Sequence, residues 1–172
     1  MKHLVSLLTL TLMSVTIFAQ SPDDRGYIVK VGDEAPDFEM PLTDGSTVKL
    51  SDLRGSVVML QFTASWCGVC RKEMPHIEKK IWQAYKDKGL KVFGVDRDEP
   101  KAKALEMVEA TGITYPMGLD DKADIFGLYA DKKSGVTRNV LIDKDGKIIF
   151  LTRLFNKDEF AELVQKIGEE LK

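Results

Sequence analysis

The only two cysteines of the chain, Cys67 and Cys70, stand three residues apart in Phe62-Thr63-Ala64-Ser65-Trp66-Cys67-Gly68-Val69-Cys70. The apolar run Val57 to Phe62 before them reads as a strand covered on both faces, and the pattern after them reads as a helix. A strand that tips into a helix start leaves unpaired N–H groups and the positive end of the helix dipole beside Cys67, which favours its thiolate. Cys70 falls on the same helical face, within reach to close a disulfide or to resolve a mixed one. The pair reads as a redox couple. A structural staple is a poorer account, because closing so short a ring is worth only about 2 kcal/mol by chain entropy. Half of a zinc site needs two more ligands, and after residue 19 the chain offers no further cysteine and only His76, which reads as a helix-surface residue.

Met1 to Ala19 opens with Lys2, continues through a short apolar stretch from Leu4 to Phe18 and ends on a small residue, the pattern of a cleaved secretory signal. Ser6, Thr9, Thr11, Ser14 and Thr16 dilute the stretch below what a spanning helix needs. The expectation is export, a periplasmic location and no membrane span after cleavage. Outside the cytosol a close cysteine pair drifts to the disulfide unless something reduces it. The net charge of −2 comes from interspersed acids and bases, which gives no support for nucleic-acid or membrane-surface binding. Gln20 to Lys30 reads as a flexible lead-in, and 31–172 as one domain.

Within that domain Phe38 to Leu50 centres on Asp44-Gly45, a hairpin signal, and Ser51 to Gly55 turns the chain into Val57 to Phe62. The helix after Cys67 carries Met74, Ile77, Ile81 and Tyr85 at helical spacing and stops at Gly89, with Pro75 expected to kink it. Val92 to Val95 is the next buried strand. Pro100 and Gly112 bracket a helix with Ala104, Leu105 and Val108 inward. Tyr115-Pro116-Met117 reads as an edge strand and Asp121 to Ala130 as a small helix. Val140 to Ile142 and Ile148 to Leu151 flank Asp145-Gly146 as a second hairpin. A last helix has Asn156 as N-cap, Glu159 completing a capping box, and Phe160, Leu163, Val164 and Ile167 on one stripe. This order gives an α/β sandwich with a mixed sheet.

Val31-Gly32-Asp33-Glu34-Ala35-Pro36-Asp37-Phe38, Leu50-Ser51-Asp52-Leu53-Arg54-Gly55 and Trp66-Cys67-Gly68-Val69-Cys70-Arg71-Lys72-Glu73-Met74-Pro75 resemble thioredoxin-like proteins of the TlpA/ResA type, within the AhpC/TSA redoxin group. The resemblance covers essentially everything after the lead-in. It implies a thioredoxin-like fold with an N-terminal β-hairpin and an insertion in the central region. It also implies periplasmic thiol–disulfide exchange on protein disulfide substrates, without metal or organic cofactor, with electrons from a membrane donor of the DsbD/CcdA kind. Two positions depart from the pattern. Thr137 stands where such proteins place a cis-proline opposite the cysteines; a cis bond before a non-proline costs about 3 kcal/mol, so Val136-Thr137 is expected trans. Gln61 stands where thioredoxins hold a buried aspartate, and a neutral amide cannot shuttle protons.

Attention moves to Glu73, one helical turn past Cys70, which matches a glutamate that the resemblance marks as functional. Buried beside the thiols, its pKa would rise and let it exchange protons with Cys70. On a solvated face it would merely pair with Lys72 or Lys80. The expected catalytic set is Cys67 as attacking thiolate, Cys70 as resolving thiol and Glu73, with Trp66, Gly68, Val69, Val136 and Thr137 meeting the substrate. Gly68-Val69 offers the thiolate neither charge nor donor side chain, which points to a reductase. Two rivals remain. One is a peroxiredoxin-like peroxidase, suggested by Thr137 and by Ile113-Thr114-Tyr115-Pro116 with Asp120. The other is a copper or iron–sulfur binding protein using the same cysteines.

Overall fold

The structure, a computed structural model, describes residues 25–172. The expected signal over 1–19 lies outside the described residues. Two short strands, β1 (Glu39–Pro41) and β2 (Thr47–Lys49), form the first hairpin, and Gly45 takes its turn at φ 92 while Asp44 holds the Ser46 N–H at 2.9 Å. Then follow β3 (Val58–Thr63), α1 (Gly68–Ile77), a π-helical segment (Glu78–Trp82), α2 (Gln83–Tyr85), β4 (Lys91–Arg97), α3 (Lys101–Thr111), β5 (Met117–Asp120), α4 (Phe126–Tyr129), β6 (Arg138–Ile142), β7 (Ile148–Arg153) and α5 (Lys157–Glu170). The main sheet runs β5-β4-β3-β6-β7, with β3, β4 and β5 parallel and β6 and β7 antiparallel. β3 lies at its centre, so its C-terminal end delivers the cysteines to the middle of one sheet edge.

Alternation along the strands splits the core in two. Val58, Leu60, Phe62, Val95 and Val140 face the hairpin and α4, where Phe62 meets Phe126 and Tyr129 with ring centroids 5.4 Å apart in each pair. Val57, Met59, Val92 and Leu141 face α1, α3 and α5 through Met74, Ile77, Ala104, Met107, Phe160 and Leu163. A side chain as completely covered as Phe62 contributes roughly 1.5–3 kcal/mol by leaving water. The hairpin reaches the sheet because Leu42 bridges to Gly118, where any Cβ would run into Met40.

Several local expectations are corrected. The lead-in is docked from Arg25 onward: Tyr27 is buried, and its hydroxyl donates to the Thr152 carbonyl at 2.6 Å. In α3 Ala104 is buried and Val108 packs partly buried beside it, as expected, but the third inward side chain is Met107, whereas Leu105 is 44% exposed; both sets span one helical face, and the sheet selects the one with Met107. The edge strand begins at Met117 instead of Tyr115, and the small helix shrinks to α4. Pro75 stays inside α1, and the irregularity appears as the π segment that follows it. Asn156 does cap α5, accepting from the Asp158 and Glu159 N–H groups, but the Glu159 carboxylate turns to the Arg153 N–H and to Arg25 instead of closing the capping box.

Candidate active site

After Thr63 the chain turns through Ala64, whose carbonyl accepts the Cys67 N–H at 3.0 Å. Cys67 is the N-cap of α1, in extended backbone conformation, and its Sγ accepts the Cys70 backbone N–H at 3.1 Å. The sulfur thus occupies the place of a capping oxygen, where an N–H donor and the helix dipole both favour negative charge. The two cysteines are joined in a disulfide, so this is the oxidised form. Cys70 is wholly buried and Cys67 is 8% exposed, which leaves Cys67 as the sulfur that a second molecule can approach. Around it Trp66 is 59% exposed, and Gly68 and Val69 face solvent.

Thr137 lies opposite. Its hydroxyl oxygen is 3.2 Å from Cys67 Sγ and 3.3 Å from Cys70 Sγ, a contact that proline could not make. The Val136–Thr137 bond is trans, as expected, since the described residues contain no cis peptide bond. The Thr137 carbonyl accepts from the Leu154 N–H and from Arg153 Nη1, both at 3.2 Å. The Val136 side chain is buried, so it can offer a substrate only backbone.

Glu73 is 1% exposed, which removes the alternative of a surface pair with Lys72 or Lys80, both exposed. Its Oε1 accepts from Asn139 Nδ2 at 2.8 Å, and the same amide donates to Thr152 Oγ1 at 2.8 Å. Asn139 stands opposite Gln61 in the β3·β6 register, so both amides lie on the sheet face that α1 covers. Burial pushes the Glu73 carboxyl up to about 7, against smaller downward pulls from the Asn139 and Gln61 amides, and Glu159 adds to the rise. Tyr115, also buried, donates its hydroxyl to Gln61 Oε1 at 2.6 Å.

A second carboxyl group of residues braces the same edge. Glu99 accepts from the Ser65 N–H and, at 2.6 Å, from the Ser65 hydroxyl, tying the loop before Trp66 to the entry of α3. Asp96, opposite Thr63 in the sheet, is wholly buried; burial, then Glu99 and Asp120, push it up to about 9. Asp120 accepts from the Ile125 and Phe126 N–H groups at 3.1 and 2.8 Å, and so serves as the anchor of α4. Thr114 is pinned by Glu78, which accepts its N–H and its hydroxyl, both at 2.8 Å. The residues that suggested a peroxidase therefore have structural partners. His76 is exposed and stacks on Phe155 at 4.9 Å, and among the described residues no group of three His, Cys, Asp or Glu side chains is placed to hold a metal ion.

The AhpC/TSA family model matches residues 31–151. The chain belongs to the AhpC/TSA family. This AhpC/TSA protein is 34% identical over 121 residues to thiol-disulfide oxidoreductase ResA of Bacillus anthracis, covering 70% of this chain and 68% of that one. It is 30% identical to ResA of Geobacillus thermodenitrificans across 97% of this chain and 94% of the relative. Among solved structures, a candidate protein disulfide isomerase from Bacteroides thetaiotaomicron superposes with a TM-score of 0.83 at 62% identity, covering 85% of this chain and 92% of the other. A candidate thiol:disulfide interchange protein DsbE from Chlorobium tepidum gives 0.72 at 33% identity, over 84% and 99%. The fold is thioredoxin-like, and the AhpC/TSA protein is a thiol–disulfide oxidoreductase with a Cys-x-x-Cys pair.

The structure brings Cys67, Cys70, Trp66, Gly68, Val69 and Thr137 together, with Glu73 beneath them on α1. Asn139, Thr152, Tyr115, Ser65, Glu99 and Asp96 are additions. Asn139 was detectable as the one amide of β6; Tyr115 stood in the Ile113-Thr114-Tyr115-Pro116 stretch, but its contact with Gln61 arises only through the fold.

Proposed function

We propose that the protein is exported to the periplasm by its N-terminal segment and there reduces disulfides of other proteins. The observation that carries this reading is the placement of Cys67 Sγ at the N-cap of α1, bonded to the Cys70 N–H, with only Gly68-Val69 between the sulfurs. The thiolate is thereby helped by backbone and by the helix end, without the extra cation that would make the reduced form so stable that the protein oxidised its partners. The names of the ResA relatives support the same class of chemistry.

In the reduced protein the Cys67 thiolate attacks a substrate disulfide, and one substrate sulfur leaves as a thiol after taking up a proton. Cys70 gives its proton to the Glu73 carboxylate and attacks the Cys67 sulfur of the mixed disulfide. The second substrate thiol is released, and Cys67–Cys70 remains oxidised, as in the present structure. The substrate gains two electrons and two protons. A membrane thiol donor of the DsbD/CcdA type restores the dithiol. Trp66, Gly68 and Val69 flank the attacked disulfide on the solvent side, while Val136 backbone and Thr137 bound it opposite.

Equilibration with dithiothreitol and glutathione buffers tests the direction. A potential nearer to that of thioredoxin, about −270 mV, than to that of the oxidant DsbA, about −120 mV, is expected; a value at the oxidising end would reverse the proposed flow. A Cys70→Ala variant should accumulate mixed disulfides that name the substrates. Peroxide turnover above that of a free thiol would favour the peroxidase reading instead.

A further inference from the structure

Tyr115 reaches the thiol site from the loop between α3 and β5. Its neighbour Thr114 is fixed to the π segment by Glu78 and by Trp82 Nε1, which donates to Thr114 Oγ1 at 3.0 Å, so the phenol enters the core at a defined place. There it is buried and stays protonated, because burial and the charges of Glu73 and Glu78 all oppose its ionisation. Its O–H points at Gln61 Oε1 over 2.6 Å. A carboxamide carries an acceptor on one side and two donors on the other, so a donor held against the oxygen turns the NH2 the opposite way. Glu73 is the carboxyl that feels this amide. Asn139 already fills Glu73 Oε1, and among these three side chains the buried atoms without a partner at hydrogen-bond geometry are Gln61 Nε2, Glu73 Oε2 and Asn139 Oδ1. The Gln61 amide nevertheless acts on Glu73 by lowering its proton affinity, as a donor facing a carboxylate does.

We propose that Tyr115 is a positioning residue of the thiol site: its hydroxyl locks the Gln61 carboxamide with the NH2 on the side of Glu73, so that the amide presents its donor and not its oxygen to the carboxylate that Asn139 already holds. Without the lock the amide is free to turn over, and its oxygen then accepts from the protonated carboxyl and favours the neutral form. The other groups that face Glu73 do not replace this control. Cys70 on α1 precedes it by one turn, Asn139 on β6 donates in either case, Thr152 on β7 is engaged by that same Asn139, and Glu159 on α5 pushes in the direction of the neutral form. The inference rests on the reading of Glu73 as proton acceptor for Cys70. In that setting Tyr115 sets the pH at which the acceptor becomes available.

The test follows the carbon-13 resonance of the Glu73 carboxyl against pH in the oxidised protein, assigned by its loss in Glu73→Gln. Tyr115→Phe should raise the titration midpoint by about one unit, tenfold in the proton equilibrium. Gln61→Met should raise it as well, and the double variant should titrate no higher than Gln61→Met alone. An unmoved midpoint in Tyr115→Phe, or shifts that add in the double variant, would overturn the proposal. A second measurement needs no variant: the Gln61 side-chain NH2 resonances of the wild-type protein should move with the Glu73 midpoint, and their indifference to it would equally overturn the lock. The underlying reading fails separately. If Glu73→Gln releases mixed disulfides at the wild-type rate, Glu73 is not the acceptor, whatever the titrations show.

Discussion

The two faces of the central sheet bury charge-bearing groups in opposite ways. On the face covered by the hairpin and α4, two guanidinium groups lie against one ring: Arg97 is 4.0 Å and Arg138 5.6 Å from the centroid of Phe126, and Arg138 is also 4.8 Å from that of Tyr27. Arg138 donates to the carbonyls of Gly135 and Arg25, and Arg97 to that of Lys132. On the face covered by α1, α3 and α5, the buried ionisable groups are carboxyls, Glu73 and Asp96, with amides and other carboxyls around them and no cation partner among the described residues. A guanidinium cannot shed its charge and is accommodated by ring faces, carbonyls and, for Arg97, the Asp98 carboxylate. A carboxyl in the same situation keeps its proton. The face covered by α1, α3 and α5 therefore holds carboxyls that keep their protons, whereas the face of the hairpin and α4 holds guanidiniums beside the buried Asp120, and the cysteines pack in the hydrophobic cluster of that second face.

The largest effect should come from removing the ring that the arginines share. Phe126→Ala empties a fully covered site and should cost about 3–5 kcal/mol in denaturant unfolding. Because the guanidinium groups that share the ring keep their charge and the N–H of residue 126 still holds Asp120, the loss should be the same at pH 6 and pH 9; a loss that varied between them would break the comparison.

On the opposite face stability should follow Glu73. Its folded value of about 7 lies above the ordinary 4.5, so the native state holds a proton that the unfolded chain has released between those values. Stability is thus full below about 4.5 and falls as pH rises to about 7, by roughly 3 kcal/mol. Glu73→Gln lacks this dependence, and the oxidised variant should gain on the wild type by that amount between pH 4 and pH 8. Parallel stability curves for the two proteins would place Glu73 in solvent-like surroundings. In turnover the same variant should lose about 10²-fold in release of the mixed disulfide near neutral pH, with the first attack by Cys67 little changed.

The smallest effect concerns Thr137. Its hydroxyl lies 3.2 Å from Cys67 Sγ in the oxidised form and is placed to donate to the thiolate once the disulfide is reduced. Thr137→Val keeps the shape and removes one hydrogen bond, worth about 1 kcal/mol, so the Cys67 pKa should rise by about one unit or less. Alkylation rates across pH measure this, and in both proteins Cys67 should be labelled before Cys70.

Contiguous chemistry was readable from the sequence, and chemistry assembled across strands was not. Cys67, Cys70 and Glu73 belong to one helix, so spacing alone puts them on one face. Asn139 and Tyr115 come from other elements, and which of their neighbours they meet depends on sheet register and on where the chain enters β5. The same limit explains α3. Leu105 is as apolar as Met107, and only the direction of the sheet decides which one turns inward. Thr137 was correctly placed opposite the cysteines, but that its hydroxyl would touch both sulfurs depends on the Arg153 side chain and the Leu154 N–H that hold its carbonyl.

Glu99 and Tyr115 stand at the two ends of the segment that carries α3, the first gripping Ser65 and the second Gln61. The segment from Glu99 to Tyr115 is consequently not a detachable module. A minimal protein made by splicing β4 to α4 would keep both cysteines and most of the sheet, yet would release the loop that presents Trp66 and the amide beside Glu73. Conversely, an engineer who grafts this Cys-x-x-Cys loop onto another scaffold must transplant both ends of α3 with it, or the donor's chemistry stays behind.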